Sequence, residues 1–190
     1  MVSKHSPTKL TYEDYLQFPD DGQRHEIIEG EHCVSPPPLV RHQRILLRLS
    51  HLIQGYLDTH PGGEVLFAPV AVLLSEFNIF EPDLLYVSEA RLRLLTENNL
   101  QGAPDLVVEI LSPRTRSRDT HLKRDVYERT GVQEYWIVDP DRNVVDVYRR
   151  PRSAGVPDPT FAAPMRFGRA QVLDTPLLAG LRLPLDEILA

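Results

Sequence analysis

The chain has 190 residues, enough for one domain with a substantial core, and nothing in its composition asks for two, so residues 1–190 are expected to form a single domain. A hydrophobic fraction of 42% and a charged fraction of 25% describe a soluble globular protein, and no apolar run approaches the length of a membrane span. The formal net charge of −6 argues against a protein that coats nucleic acid by bulk electrostatics, but not against a nuclease whose acids are covered by metal ions.

The opening segment, MVSKHSPTKLTYEDYL, lacks the apolar core of a secretory signal, and Cys33 is the single cysteine. An internal disulfide and a cysteine-rich zinc site are thereby excluded, and a cytoplasmic, reducing setting is expected.

Thr11 to Phe18 predicts a short helix with Thr11 as its N-cap, stopped by Pro19 to Gly22. Arg24 to Val34 predicts a hairpin turning at Glu29-Gly30, followed by a rigid proline-rich connection, Ser35 to Leu39. Arg41 to Thr59 is the clearest helix. Its residues Ile45, Leu46, Leu49, Leu52, Ile53, Tyr56 and Leu57 form one apolar stripe at three- and four-residue steps. Glu64 to Leu74 predicts a strand interrupted or edged at Pro69, and Phe80 to Val87 a second strand with Asp83 near its start.

Leu106 to Leu111 predicts a central strand, and Arg118 to Thr130 a helix with Leu122, Val126 and Tyr127 turned inward and Gly131 closing it. Glu134 to Val138 and Val144 to Arg149 predict hairpin strands around Asp139-Pro140-Asp141. A short strand near Gln171 to Leu173 and an apolar segment, Leu177 to Leu189, close the chain. This order predicts an α/β fold with a mixed sheet flanked by helices.

Glu109 carries the chemical signal, because a carboxylate inside the run Leu106–Leu111 is costly without compensation. A metal site competes here with a buried ion pair to a nearby arginine, and buried acids among apolar neighbours favour the metal site. Asp105 lies about 13 Å from Glu109 along one strand, too far to share an ion whose ligands sit at about 2.1 Å. Asp83, from an adjacent strand, satisfies the distance; taken alone its Pro82-Asp83 step would be a turn. Lys123 follows on the predicted helix, where a surface pair with Asp119 competes with a role beside a phosphate. Tyr127 and Ser112 fit structural roles, as a core aromatic and a loop hydroxyl.

Two basic patches, Arg41, His42, Arg44 and Arg48, and then Arg114, Arg116, Arg118, Lys123, Arg124 and Arg129, fit solvated helix faces if taken singly. The second, directly after Glu109, points somewhat towards phosphate contact.

The run PDLVVEILSP and the later KRDVYERTGVQEYWIVDP, with EIIEGE, the SPPP…HQR segment and LLAGLRLPLDEI, resemble the Uma-type family of restriction-endonuclease-like proteins, a branch of the PD-(D/E)xK nuclease superfamily. The resemblance spans about Tyr12 to Leu189. It implies a restriction-endonuclease-like fold with a divalent-metal site at the sheet's open end. Asp83 then stands for the superfamily aspartate and Glu109 for its second acid. The usual lysine position holds Leu111, so Lys123 would carry that charge from the helix.

Catalytic Asp83, Glu109 and Lys123 are thus expected, with Asp83, Glu109 and the carbonyl of Ile110 as ligands of Mg2+ or Mn2+. The resemblance also brings Glu26, Glu29 and His42 near the site as secondary candidates. The expected substrate is DNA, hydrolysed at its phosphodiester bonds; a homodimer would suit double-strand cutting. A catalytically silent nucleic-acid- or partner-binding module, and a hydrolase of another substrate, are the competing readings.

Overall fold

Prolines mark two of the places, Pro69 and Pro82, where this chain passes between its two larger sheets, and those two crossings flank the site. The computed structural model describes residues 9–153 and 155–190. The reading of the N-terminal segment as lacking a signal core rests largely on residues 1–8, outside the described range.

In chain order the elements are α1 (Tyr12–Tyr15), β1 (Arg24–Ile28), β2 (Glu31–Ser35), α2 (Val40–Leu57), β3 (Gly63–Phe67), β4 (Ala71–Ser75), β5 (Asn78–Phe80), β6 (Leu84–Ser88), β7 (Asn99–Leu100) and β8 (Leu106–Ile110). Then come α3 (Arg124–Thr130), β9 (Glu134–Asp139), β10 (Val144–Arg149), β11 (Arg152–Ser153), β12 (Val156–Pro157), β13 (Met165–Gly168), β14 (Val172–Leu173), β15 (Leu183–Pro184) and α4 (Leu185–Ile188). The larger sheet runs β13-β10-β9-β8-β6-β3 and the smaller β2-β1-β5-β4-β7. Among the described residues, β8–β9 and β4–β7 are the parallel pairs within them.

The β8–α3–β9 unit is a crossover, as a parallel pair requires. The β1–β2 hairpin turns on Glu29 (φ 55°) and Gly30 (φ 86°), the left-handed pair that a tight two-residue turn needs.

Alternation along β8 and β9 divides the core into two faces. Leu106, Val108 and Ile110, with Trp136 and Val138, pack against Ile45, Leu49 and Ile53 of α2 and against Leu185 and Ile188 of α4. Each such apolar side chain, once fully buried, contributes about 1.5–3 kcal/mol. On the other face Val107, Leu111, Tyr135 and Ile137 meet Val126 and Tyr127 of α3 and Ile28 and Phe80 of the smaller sheet. Glu109 shares this second face by its parity with Val107 and Leu111. The result is a mixed α/β fold with helices flanking the sheets.

Three expectations need correction. Glu64 to Leu74 is two strands in different sheets, because the chain leaves the larger sheet at Pro69, which cannot donate to a ladder. Phe80 to Val87 is likewise divided: the chain returns through Glu81-Pro82-Asp83 before β6 begins. The two crossings touch, since the Ala68 N–H donates to the Asp83 carbonyl at 3.1 Å. The third correction concerns Leu122, which is 54% exposed rather than inward. Residues Arg118–Lys123 form a π-helical turn, which carries more residues per turn than an α-helix and changes which side chains face the sheet. Asp119 and Lys123 point inward in its place.

Candidate active site

The end of the β6–β8 pairing sets the first half of the site. Leu84 pairs with Val108, so antiparallel register carries Asp83 towards Glu109 just beyond the last paired residues. Asp83 is 2% exposed and fully hydrogen-bonded. Its Oδ1 accepts from Arg24 Nη1 at 2.7 Å, and its Oδ2 from the Ile110 N–H at 2.7 Å and His42 Nε2 at 3.0 Å. A carboxylate only accepts, so Nε2 of His42 carries the proton in that bond; Nδ1 is buried without a hydrogen-bond partner among the described residues. Burial alone would raise the Asp83 carboxyl, but the His42 hydrogen bond, Arg24 and the Ile110 N–H outweigh it and hold the group at about 2.

Glu109 is also 2% exposed, with a different environment. Its Oε1 accepts from Lys123 Nζ at 2.9 Å and Tyr127 OH at 3.0 Å, whereas Oε2 makes no side-chain hydrogen bond among the described residues. Burial pushes the carboxyl up to about 8; Lys123 opposes this, and the charges of Asp119, Asp83 and Glu26 add to it. Lys123 Nζ lies 2.6 Å from Glu26 Oε1 and 3.9 Å from Asp119 Oδ1 as well, and 5.4 Å from the centre of the Phe80 ring. Burial would lower its pKa, but Glu109, Glu26 and Asp119 hold it above the ordinary lysine range. Glu26 is anchored in turn by the Glu81 N–H at 2.9 Å.

These groups line a cleft of about 410 Å³, covered on one side by Pro36–Pro38. The structure brings Asp83, Glu109 and Lys123 together there, with Ile110, Glu26 and His42 on its wall. Glu29 stays outside: it is half-exposed at the hairpin turn and pairs with Arg129. Asp105 serves the sheet, its carboxylate accepting from the Ser88 N–H at 2.8 Å.

Most of the second basic patch is engaged by protein groups. Arg116 pairs with Asp139, Arg118 donates to Ser35, and Arg124 pairs with Asp125. Arg114 lines the cleft and is exposed. Sequence reasoning missed Arg24, although its two-residue spacing from Glu26 puts both on one strand face. It also missed Asp119 as a buried group, because a π-helical turn leaves no periodicity to find.

The donor chemistry fits a hard divalent cation. Four carboxylates, Asp83, Glu109, Glu26 and Asp119, face Lys123 and Arg24, an excess of acid that a cation would offset. Among the described residues no three His, Cys, Asp or Glu side chains gather at metal-ligand spacing. Two carboxylates and a carbonyl, completed by waters, is the oxygen-poor protein set that magnesium accepts.

A mixed sheet in which Asp83, just before β6, and Glu109, on the antiparallel neighbour β8, meet at the strand ends has the layout of a restriction-endonuclease-like domain. The chain belongs to the Uma2 family, described as "Putative restriction endonuclease", whose sequence pattern matches residues 12–186. It is 30% identical over 155 residues to the uncharacterized protein slr1290 of Synechocystis sp., covering 77% of this chain and 79% of that protein. Its fold is similar to the crystal structure of a putative nuclease belonging to DUF820 from Anabaena variabilis, with a TM-score of 0.76 at 20% identity, over 95% of this chain and 97% of that one. No helix among the described residues is long and apolar enough to cross a membrane.

Proposed function

We propose that the chain is a divalent-metal-dependent DNA endonuclease that hydrolyses phosphodiester bonds. One observation carries the reading: Asp83 and Glu109, buried side by side at the end of neighbouring strands, share a cleft with Lys123. Membership of the Uma2 family supports it.

Asp83, Glu109 and the Ile110 carbonyl would hold a magnesium or manganese ion. The Ile110 N–H points at Asp83, and in a strand the carbonyl of the same residue projects to the same side. Such an ion, when bound, polarises the phosphate and lowers the pKa of its water. Arg24 and His42 keep Asp83 ionised and fixed in orientation. Lys123 and Tyr127 hold one oxygen of Glu109 and leave the other towards the cleft. Lys123 also brings a permanent positive charge to the wall where a phosphate oxygen gains charge.

The test is cleavage of circular DNA, offered both as a single strand and as a duplex plasmid, with manganese or magnesium. Wild-type protein should cut, and Asp83→Ala and Glu109→Ala should each lose the activity; full activity in both would overturn the assignment. The silent-module reading draws on the pairing of Arg116, Arg118 and Arg124 with protein groups, which leaves few cations for phosphate. Absence of manganese binding by calorimetry, together with absence of cleavage, would favour it.

A further inference from the structure

We propose that the cleft next to the acid site is a nucleobase pocket, and that the substrate is taken as a single strand of DNA. This rests on the nuclease reading and adds to it the form in which the nucleic acid is bound.

The second cleft, of about 520 Å³, lies between α1, the start of β1 and the Pro36–Pro38 segment. It shares Arg24 and Pro36–Pro38 with the acid cleft, so the two form adjoining chambers. Because Arg24 lines both chambers, a strand with one phosphate at Asp83 and Glu109 would extend past Arg24 into the second.

The lining of that chamber suits a base better than a phosphate. Tyr15 and Phe18 line it with half-buried rings, which belong to an aromatic cluster with Tyr12, His25 and His32. Ring centres are 5.8 Å apart from Tyr12 to Tyr15, 5.8 Å from Tyr15 to Phe18, and 3.9 Å from Phe18 to His32. Tyr15 is fixed by donating to Glu81 at 2.6 Å. Glu81 and Asp20 add acid to the wall, which repels phosphate but can accept hydrogen bonds from the amino groups of a base. Every base has a π-face, so such rings bind single strands without regard to sequence.

The acid chamber disfavours a regular duplex. Asp83, Glu109 and Lys123 are each about 2% exposed and lie beneath the proline segment, so a phosphate must enter deeply to reach them. Duplex binding also draws its affinity from many phosphate contacts, whereas Arg116, Arg118, Arg124 and Arg129 are held by Asp139, Ser35, Asp125 and Glu29.

The experiment uses the full chain without metal and follows anisotropy of a short fluorescein-labelled single strand of mixed adenine and cytosine, whose bases carry amino groups, and of a duplex of the same length. The single strand should bind more tightly than the duplex. Phe18→Leu keeps the apolar packing but removes the π-face, and should weaken single-strand binding about tenfold; Phe18→Trp should retain it. Equal or tighter duplex binding, no measurable binding of the single strand, or unchanged binding by Phe18→Leu would overturn the proposal. Hydrolysis of bis(p-nitrophenyl) phosphate by wild-type and Glu109→Ala protein reports on the acid site with no base present, so the two readings fail separately.

Discussion

Lys123 Nζ and Glu109 Oε1 lie 2.9 Å apart, and neither residue is more than 2% exposed. The lysine is therefore the buried cation of an acid cluster, and removing it leaves Glu26 and Asp119, beside Glu109, without that cation. We expect Lys123→Met to cost roughly 3–5 kcal/mol at neutral pH, measured by urea unfolding. The deficit should shrink in acid, where the carboxyls can protonate. A loss below about 1 kcal/mol at neutral pH would mean that another group neutralises the acids.

Tyr127 shows why a core aromatic can also belong to a site. Its ring is buried against Phe80 and Tyr135, while its hydroxyl donates to the same Glu109 oxygen as Lys123. Tyr127→Phe keeps the packing and removes that donor. Turnover should fall about 10–100-fold, as when an outer hydrogen bond to a metal-binding group is lost, with the melting transition still cooperative. Unchanged turnover would confine Tyr127 to the core.

His42 offers the matching test on Asp83. Loss of the 3.0 Å bond in His42→Ala should weaken manganese binding about 10–100-fold by calorimetry, because Asp83 then has Arg24 and one N–H to orient it. Wild-type affinity in this variant would show that Arg24 and the Ile110 N–H suffice.

The two acids should leave opposite marks on metal-free stability. Asp83 has its carboxyl lowered from 3.8 to about 2, so its contribution is present above about pH 4 and is lost as the pH falls towards 2. Glu109 is raised from 4.5 to about 8, so the folded state holds its proton longer than the unfolded state does. Its contribution is fully present below pH 4.5 and is lost as the pH rises through about 8. The melting temperature of the wild type should therefore fall relative to Glu109→Gln between these limits. Parallel curves would show that Glu109 is already ionised in the apo-protein. Manganese should bind more tightly as the pH rises across the same interval, with release of a proton.

Much of the arrangement was legible where period and register speak. The continuous apolar run Leu106–Leu111 located Glu109 on a buried strand, and rise per residue separated Asp105 from it. The resemblance to the Uma-type family then supplied the family to which the chain belongs. Two features left no such trace. Whether Pro69 and Pro82 merely edge a strand or carry the chain to another sheet depends on tertiary pairing, which neither proline encodes locally. The π-helical turn at Arg118–Lys123 likewise obscures the facing of its residues, because an α-helical wheel turns Leu122 inward and misses Asp119. Arg24 escaped notice because one arginine on a hairpin has no pattern, and its meaning comes from Asp83, 59 residues away.

The crossings at Pro69 and Pro82 also determine when the site comes into being. Arg24 and Glu26 belong to the smaller sheet, Glu109 to the larger, Asp83 to the passage between them, and Lys123 to the turn that follows. A nascent chain emerging from the ribosome therefore has no assembled centre until Lys123 has been made and both sheets have docked. Half-folded or truncated copies lack the full set of groups, so the cleft and its charges would arrive only with the finished fold.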